Sequence, residues 1–270
     1  MTICIGMVCS DGVVIAADTN ESDTYFKRST SKIYTGIGGV HLSLPPDGST
    51  PLPPSSVCAI AGAGEGGYCD ALSEKLLNVF LDPKPTKNLQ DIQSDFEKCL
   101  IKFYSDHITT FAEYPFQDRP DLAMLIGLYA NWQTTLLVTD KSTVRRAVPY
   151  QAVGVGQTFA MNLMDNLWRN ATIEETEILA NYIIFATKES IEGCGKFTSV
   201  ISLRNPTMVN DPDGLSSKLV PPPLPLTRVR NQDLYLMQEK RFRIEWAFKQ
   251  RELIWEMIRE EIETNNKAML

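Results

Sequence analysis

The chain has 270 residues, room for one large domain or two small ones. Apolar residues make up 43% and charged residues 22%, a globular mixture that excludes disorder across the whole length. With 26 basic and 33 acidic residues the formal charge is -7, and no basic strip interleaved with aromatics offsets it, so nucleic-acid binding is not expected.

No uninterrupted apolar stretch approaches the roughly 18 residues of a transmembrane helix, so no membrane association is expected. Met1-Thr2-Ile3-Cys4 carries no basic region ahead of an apolar one, so a secretory signal is not expected either. The six cysteines, at 4, 9, 58, 69, 99 and 194, form no C-x-x-C pair and stand apart from His41 and His107. They read as reduced, mostly buried thiols of a cytoplasmic protein, with neither a metal site nor a cofactor implied.

The opening reads as a β-hairpin. Ile3, Ile5, Met7 and Cys9 alternate with period two, Ser10-Asp11-Gly12 supplies a turn, and Val13 to Ala17 forms a second β-rich run ending at Asp18. A short turn favours a register that sets Thr2 beside Asp18, although pattern alone leaves the opposite arrangement open. Thr19 to Ser31 is polar, and a short strand follows around Lys32-Ile33-Tyr34. Gly36 to Ser56 carries five prolines and four glycines and reads as a surface excursion.

Val57 to Ala61 is a short buried strand running into Gly62-Ala63-Gly64-Glu65-Gly66-Gly67. Helices are predicted over 68–81 and from Asn88 to about Phe111, the second with Leu89, Ile92, Phe96, Leu100 and Phe103 on one face. Strands are predicted over 122–128, 134–139 and 143–148. Val153 to Gln157 reads as a tight turn into a helix over 158–168. Thr172, with Glu175 three residues on, caps a helix to about Ser190, and Phe197 to Leu203 is strand-like.

The order is strands, two helices, strands, two helices, strand. This suits two sheets packed face to face between helical pairs rather than a doubly wound parallel sheet. The expected organisation is one domain over 1–205 with a Pro-rich insertion near 37–56, a Pro-rich connector over 206–232 and a helical extension over 233–265. The apolar stripe of that extension covers either the domain's own core or a neighbouring subunit.

Several of these pieces, in this order, resemble the proteasome β-type subunits of the N-terminal nucleophile (Ntn) hydrolases. Thr2 heads a strand; Asp11 to Asp18 is similar to the family's glycine, apolar run and Ala-Ala-Asp; Ser31-Lys32-Ile33-Tyr34 resembles its lysine-bearing strand. Ala61-Gly62 resembles the Ala-Gly at the substrate groove. Gly154 to Ala160 is similar to a Gly-Ser-Gly segment before a helix, and Gly193-Cys194-Gly195 falls where a Ser-Gly-Gly commonly lies. The resemblance spans roughly residues 2–203. It implies an α+β fold, a four-layer αββα sandwich of two antiparallel sheets between helical layers, and a homo-oligomer, with a ring as one form.

The resemblance also implies threonine-type amide hydrolysis. Thr2 would be the nucleophile, activated by its own free α-amine, whose ordinary pKa lies near 8; this requires removal of Met1, because an amide nitrogen is not a base. Lys32 matches the lysine beside the nucleophile and Asp18 the carboxylate that orients it. Gly62 matches the glycine whose N–H receives the developing oxyanion. Ser22 stands at the groove threonine that bonds an extended substrate, and Ile60 at the base of the first specificity pocket, where a core role is equally open. Without the resemblance, Asp18 reads as a turn cap, Lys32 as a solvated lysine and Gly62 as one turn glycine among many.

Two departures stand out. Val155 replaces the serine of Gly-Ser-Gly, and Ile191 occupies an aspartate position; Glu189 or Glu192 would replace that carboxylate only with a local backbone shift. The leading expectation is a proteasome-like endopeptidase taking peptides, with non-protein amides as a variant. A non-catalytic structural or assembly subunit, or a peptide-binding module, are the alternatives.

Overall fold

The computed structural model describes residues 2–22, 27–38, 56–81, 88–109, 120–130, 133–205, 207–210, 217–220 and 236–243. Chain contacts divide it into two units, Met1–Arg230 and Asn231–Leu270.

The first unit is built on two antiparallel sheets. Strands β1 (Ile3–Cys9) and β2 (Gly12–Asp18) pair with Cys4 opposite Ala17 and Cys9 opposite Gly12, so only Ser10 and Asp11 make the turn. β11 (Thr198–Arg204) flanks β2 and β10 (Tyr150–Gly154) flanks β1, giving the order β10-β1-β2-β11. The second sheet runs β5 (Ile33–Gly38), β6 (Ser56–Gly64), β7 (Leu122–Ala130), β8 (Gln133–Asp140), β9 (Thr143–Arg146). A small hairpin, β3 (Asn20–Ser22) with β4 (Lys27–Ser29), lies between β2 and β5 in the chain.

Two apolar layers hold the sandwich. Between the sheets lie Cys4, Val13, Ile15 and Ala17 from one side and Ala59, Ala61, Leu125, Leu136 and Val138 from the other. On the outer face of the five-stranded sheet, Cys58, Ile60, Met124, Ile126 and Leu128 pack against helices α1 (Gly66–Leu81) and α2 (Leu89–Tyr104). Helices α3 (Gln157–Leu167) and α4 (Ile173–Ser190) cover the four-stranded sheet, α4 across β2, β1 and β11 and α3 along β10. Each fully buried Phe, Leu or Ile side chain contributes about 1.5–3 kcal/mol. Phe96 and Phe103 of α2 are the largest fully buried side chains of the helix-facing layer. The architecture is the αββα sandwich expected of an Ntn hydrolase-like fold.

Covering both faces of β2 explains why its burial is continuous while its neighbours in sequence are polar. The capping box predicted at Thr172 and Glu175 is formed, and α2 begins with a second one, Asn88 with Asp91. Where one helix was expected from Asn88 to about Phe111, α2 ends at Tyr104 and a π-helical turn occupies Ser105–Thr109. The strand expected over 143–148 stops at Arg146, before the cis Val148–Pro149 peptide. Strand β10 begins just beyond it, ahead of the predicted turn.

The Pro-rich insertion near 37–56 lies almost wholly outside the described residues. Within the expected connector over 206–232, β12 (Thr207–Asn210) pairs with β13 (Ser217–Val220). Of the second unit, where a helix is predicted over 233–265, residues 236–243 are described, and they are helical. No helix among the described residues is long and apolar enough to cross a membrane.

Candidate functional site

The two-residue turn fixes the register of the first hairpin, and that register carries Thr2 to the end of β2 where Asp18 sits. Lys32 precedes β5, an edge strand of the opposite sheet, whose first residue Ile33 pairs with Ala61. Gly62 follows Ala61 on β6. One sheet therefore contributes Thr2 and Asp18, and the other contributes Lys32 and Gly62. The Cys4 thiol bridges the sheets at this end, donating to the Gly62 carbonyl at 3.4 Å.

Asp18 is fully buried and accepts four hydrogen bonds. Its Oδ1 takes Thr2 Oγ1 at 2.6 Å, Lys32 Nζ at 2.7 Å and the Ile3 N–H at 3.1 Å; its Oδ2 takes the Gly195 N–H at 2.9 Å. Lys32 Nζ also donates to the Asn20 carbonyl at 2.6 Å and to Thr2 Oγ1 in a short bond. All three Nζ protons thus have acceptors. A buried cation and anion in contact are tolerable only when their remaining valences are satisfied in this way. The Thr2 hydroxyl is held from both sides, its proton on Asp18 and its lone pair on Lys32, and Thr2 as a whole is 5% exposed.

The backbone of Thr2 is gripped as well. Its carbonyl accepts the Val155 N–H at 2.9 Å. Gly154 makes this possible: its φ is +106°, and a Cβ there would stand 2.2 Å from the Thr2 carbonyl oxygen. No side chain fits between β10 and Thr2.

The loop from Ile191 to Phe197 closes the cluster from the other side. Besides the Gly195 bond, Asn20 Nδ2 donates to the Gly193 carbonyl at 2.9 Å, and Thr19 exchanges bonds with Phe197 in both directions. Cys194, in this loop, is buried, and burial, reinforced by the charge of Asp18, raises its thiol to about 11. It is a thiol rather than a thiolate near neutral pH. Ile191 ends α4, its N–H on the Thr187 carbonyl, and Glu189 and Glu192 beside it are exposed.

Of the remaining sequence candidates, Gly62 pairs with Met124 in the β6–β7 ladder, and a Cβ on it would meet Met124 at 3.0 Å and Cys69 at 3.3 Å. Ile60 is fully buried among the side chains facing α1 and α2, opposite Tyr34 in the β5–β6 ladder. Ser22 ends β3, where it pairs with Lys27. Sequence reading missed Asn20, Gly154 and Gly195 as members of the cluster. Gly154 and Gly195 each stand in a Gly-x-Gly segment visible in the sequence, whereas Asn20 carries no local signal. Among the described residues no group of three His, Cys, Asp or Glu side chains is placed to hold a metal ion.

The sequence matches no protein-family model and no curated protein. Its fold, in contrast, is matched among solved structures. Anbu (ancestral beta-subunit) from Yersinia bercovieri is 13% identical, with a TM-score of 0.64 over 94% of this chain and 96% of that one. Anbu from Hyphomicrobium sp. strain MC1 is 12% identical, with a TM-score of 0.64 over 94% and 97%. The Anbu complex from Pseudomonas aeruginosa, solved as a helical assembly, is 12% identical, with a TM-score of 0.65 over 94% and 95%. At these identities the likeness concerns the fold: the chain shares the overall architecture of these Anbu structures.

Proposed function

We propose that the protein is an N-terminal threonine amide hydrolase, a proteasome-like endopeptidase that becomes competent once Met1 is removed. The observation that carries this reading is the Thr2 hydroxyl bonded at once to Asp18 and Lys32 in a buried, fully satisfied cluster. In this reading Thr2 Oγ attacks the amide carbonyl while the freed α-amine takes the hydroxyl proton. The carbonyl oxygen becomes an oxyanion on the Gly62 N–H. Collapse of the intermediate breaks the C–N bond, the amine hands its proton to the leaving nitrogen, and an ester to Thr2 remains. Water, deprotonated by the same amine, hydrolyses that ester and regenerates the threonine.

Lys32 and Asp18 hold the hydroxyl and supply a fixed electrostatic field; Ser22 and Ile60 belong to the proposed substrate groove. The buried setting strengthens every charge in it relative to water. No cofactor is required by these steps. The substrate class is a peptide or another amide, and the working form is a homo-oligomer, in keeping with the assembly seen for Anbu of Pseudomonas aeruginosa.

A second reading, a non-catalytic assembly subunit, draws on Val155 and Ile191, which place apolar side chains where the resembling family has a hydroxyl and a carboxylate. Intact mass of untagged protein, before and after an electrophilic threonine-directed probe, separates the two, with Thr2→Ala as control. Loss of Met1 and a single adduct on Thr2 is the expected result. Processed protein that takes no adduct would assign the chain to the assembly reading.

A further inference from the structure

Asp18 divides its two oxygens unequally. Oδ1 serves Thr2, Ile3 and Lys32, whereas Oδ2 has one described donor, the Gly195 N–H. The described hold on Oδ2 is therefore a single peptide in the loop between α4 and β11. That peptide precedes an unusual one. Lys196 is in the left-handed region, at φ +63°, a conformation that costs a residue with a Cβ.

Beside the bonds of Thr19 and Asn20 to this loop, a side chain from α4 fastens it at Lys196 itself. Lys188, on the last turn of α4, donates through Nζ to the Lys196 carbonyl at 3.0 Å and to Thr198 Oγ1 at 3.0 Å. Thr198 stands directly opposite Asp18 in the β2–β11 ladder. Lys188 thus spans Phe197 and ties the β11 end of the loop to the helix, so that Gly195 meets Asp18 from a fixed direction. Its Nζ reaches the cluster only through other residues.

We propose that Lys188 is a positioning residue for the Thr2–Asp18–Lys32 cluster: by holding the left-handed Lys196 peptide it presents the Gly195 N–H to Asp18 Oδ2, which turns Oδ1 toward Thr2 and Lys32. The geometric part stands without any assumption about catalysis, and the effect on reactivity rests on the threonine-nucleophile reading above.

The test uses the full chain with Met1 removed and reads two quantities. The first is the Gly195 amide, by its proton chemical shift and hydrogen exchange. The second is the rate of Thr2 labelling by the electrophilic probe. Lys188→Met is expected to lower Gly195 protection at least tenfold, move its resonance upfield and slow labelling about tenfold, with the amides of β7 unchanged. Lys188→Arg, which keeps a donor, restores labelling to within about threefold of wild type.

The double variant Lys188→Met/Lys196→Gly regains Gly195 protection, because glycine adopts the left-handed angle without strain. Should Lys188→Met alone fail to fold, recovery of the folded chain with a protected Gly195 in the double variant carries the same meaning. An unchanged Gly195 amide in Lys188→Met, or a double variant no better than the single, overturns the proposal. Absence of labelling in the wild-type chain would overturn the nucleophile reading, and the Gly195 measurements would still decide the role of Lys188.

Discussion

Val155 donates its backbone N–H to the Thr2 carbonyl at 2.9 Å, yet its side chain remains half exposed, at 50%. The residue thus fixes the nucleophile's backbone while offering an isopropyl group to its surroundings. Val155→Ser keeps the backbone bond and loses little burial, so the unfolding free energy should stay within about 0.5 kcal/mol of wild type. The added hydroxyl, on the residue that donates that bond, is expected to speed Thr2 labelling about tenfold by assisting proton transfer at the α-amine. Labelling kinetics on both proteins, processed at Met1, check this; equal rates would mean that the hydroxyl does not reach the amine.

Gly154, the neighbour, has no such freedom. A methyl group there would collide with the Thr2 carbonyl oxygen at 2.2 Å, a contact with backbone that no rotamer change relieves, and the φ of +106° is already hostile to a Cβ. Gly154→Ala should destabilise the protein by about 2–4 kcal/mol and abolish labelling at Thr2. Urea unfolding followed by tryptophan fluorescence measures the first effect, and intact mass the second. A variant of wild-type stability that labels normally would show that Thr2 does not depend on this close approach.

The contrast between these two positions also marks how much was legible in sequence. The strands that alternate or run apolar, β1, β2 and β6, and the helices with a 3.6-residue stripe or a capping box, α2 and α4, announce themselves through neighbours within a few residues. The Thr2–Asp18 contact follows from the shortness of one turn. The long-range pairings within the cluster have no local signature. Gly195 lies 177 residues from the carboxylate it donates to, and Asn20 sits in a hairpin whose paired residues are all polar. Strand β10 carries no assignment in the sequence at its first three residues, and its Val153 and Gly154 fall in the predicted turn. Its strand character is conferred by pairing with β1, which is tertiary information.

Removing the charge of Asp18 tests the electrostatics of the cluster. Asp18→Asn keeps the shape but cannot accept at both oxygens, so either the Gly195 N–H or the Lys32–Thr2 side faces an amide NH2 group. Lys32, with its side chain 11% exposed, is left without its counter-charge. Breaking a buried ion pair from one side typically costs about 3–5 kcal/mol, and that loss is expected in urea unfolding. Labelling of Thr2 should fall at least a hundredfold. The double variant Asp18→Asn/Lys32→Met, which removes both charges, should recover part of the stability and none of the labelling; if it proves less stable than Asp18→Asn, the ion pair is not the origin of the cost.

Ile60 offers a cleaner separation of core from groove. It is fully buried between β6 and the helices, where deleting one methylene costs about 0.5–1.5 kcal/mol. Ile60→Val is therefore expected to lower stability by that amount. If Ile60 also floors a substrate pocket, a panel of peptide probes should show a shift toward a bulkier residue at the cleaved position, by about tenfold for one methylene. Destabilisation with an unchanged probe profile would confine Ile60 to the core.

The buried thiols predict how stability responds to alkali. Cys4 and Cys58 are fully buried, and burial raises both thiols far above the usual range; burial, then the charge of Asp11, raises Cys9 to about 12, and burial, then the charge of Asp70, raises Cys69 to about 12. In the unfolded chain each ionises near its ordinary value of about 8.5–9. Below that value both states hold their protons and stability is unaffected. Above it the unfolded chain releases protons that the folded chain keeps, so folding stability falls as pH rises, by about 1.4 kcal/mol per pH unit for each such thiol until its folded pKa is reached. Urea midpoints at constant ionic strength should be flat from pH 7 to about 8.5 and decline steeply beyond about pH 9. Cys58→Ala should be less stable throughout because of the cavity it leaves, but its decline should be shallower by about 1.4 kcal/mol per unit. Parallel curves for wild type and Cys58→Ala would mean that Cys58 ionises in the folded protein as readily as in the unfolded one, contrary to its burial between β6 and the helical layer.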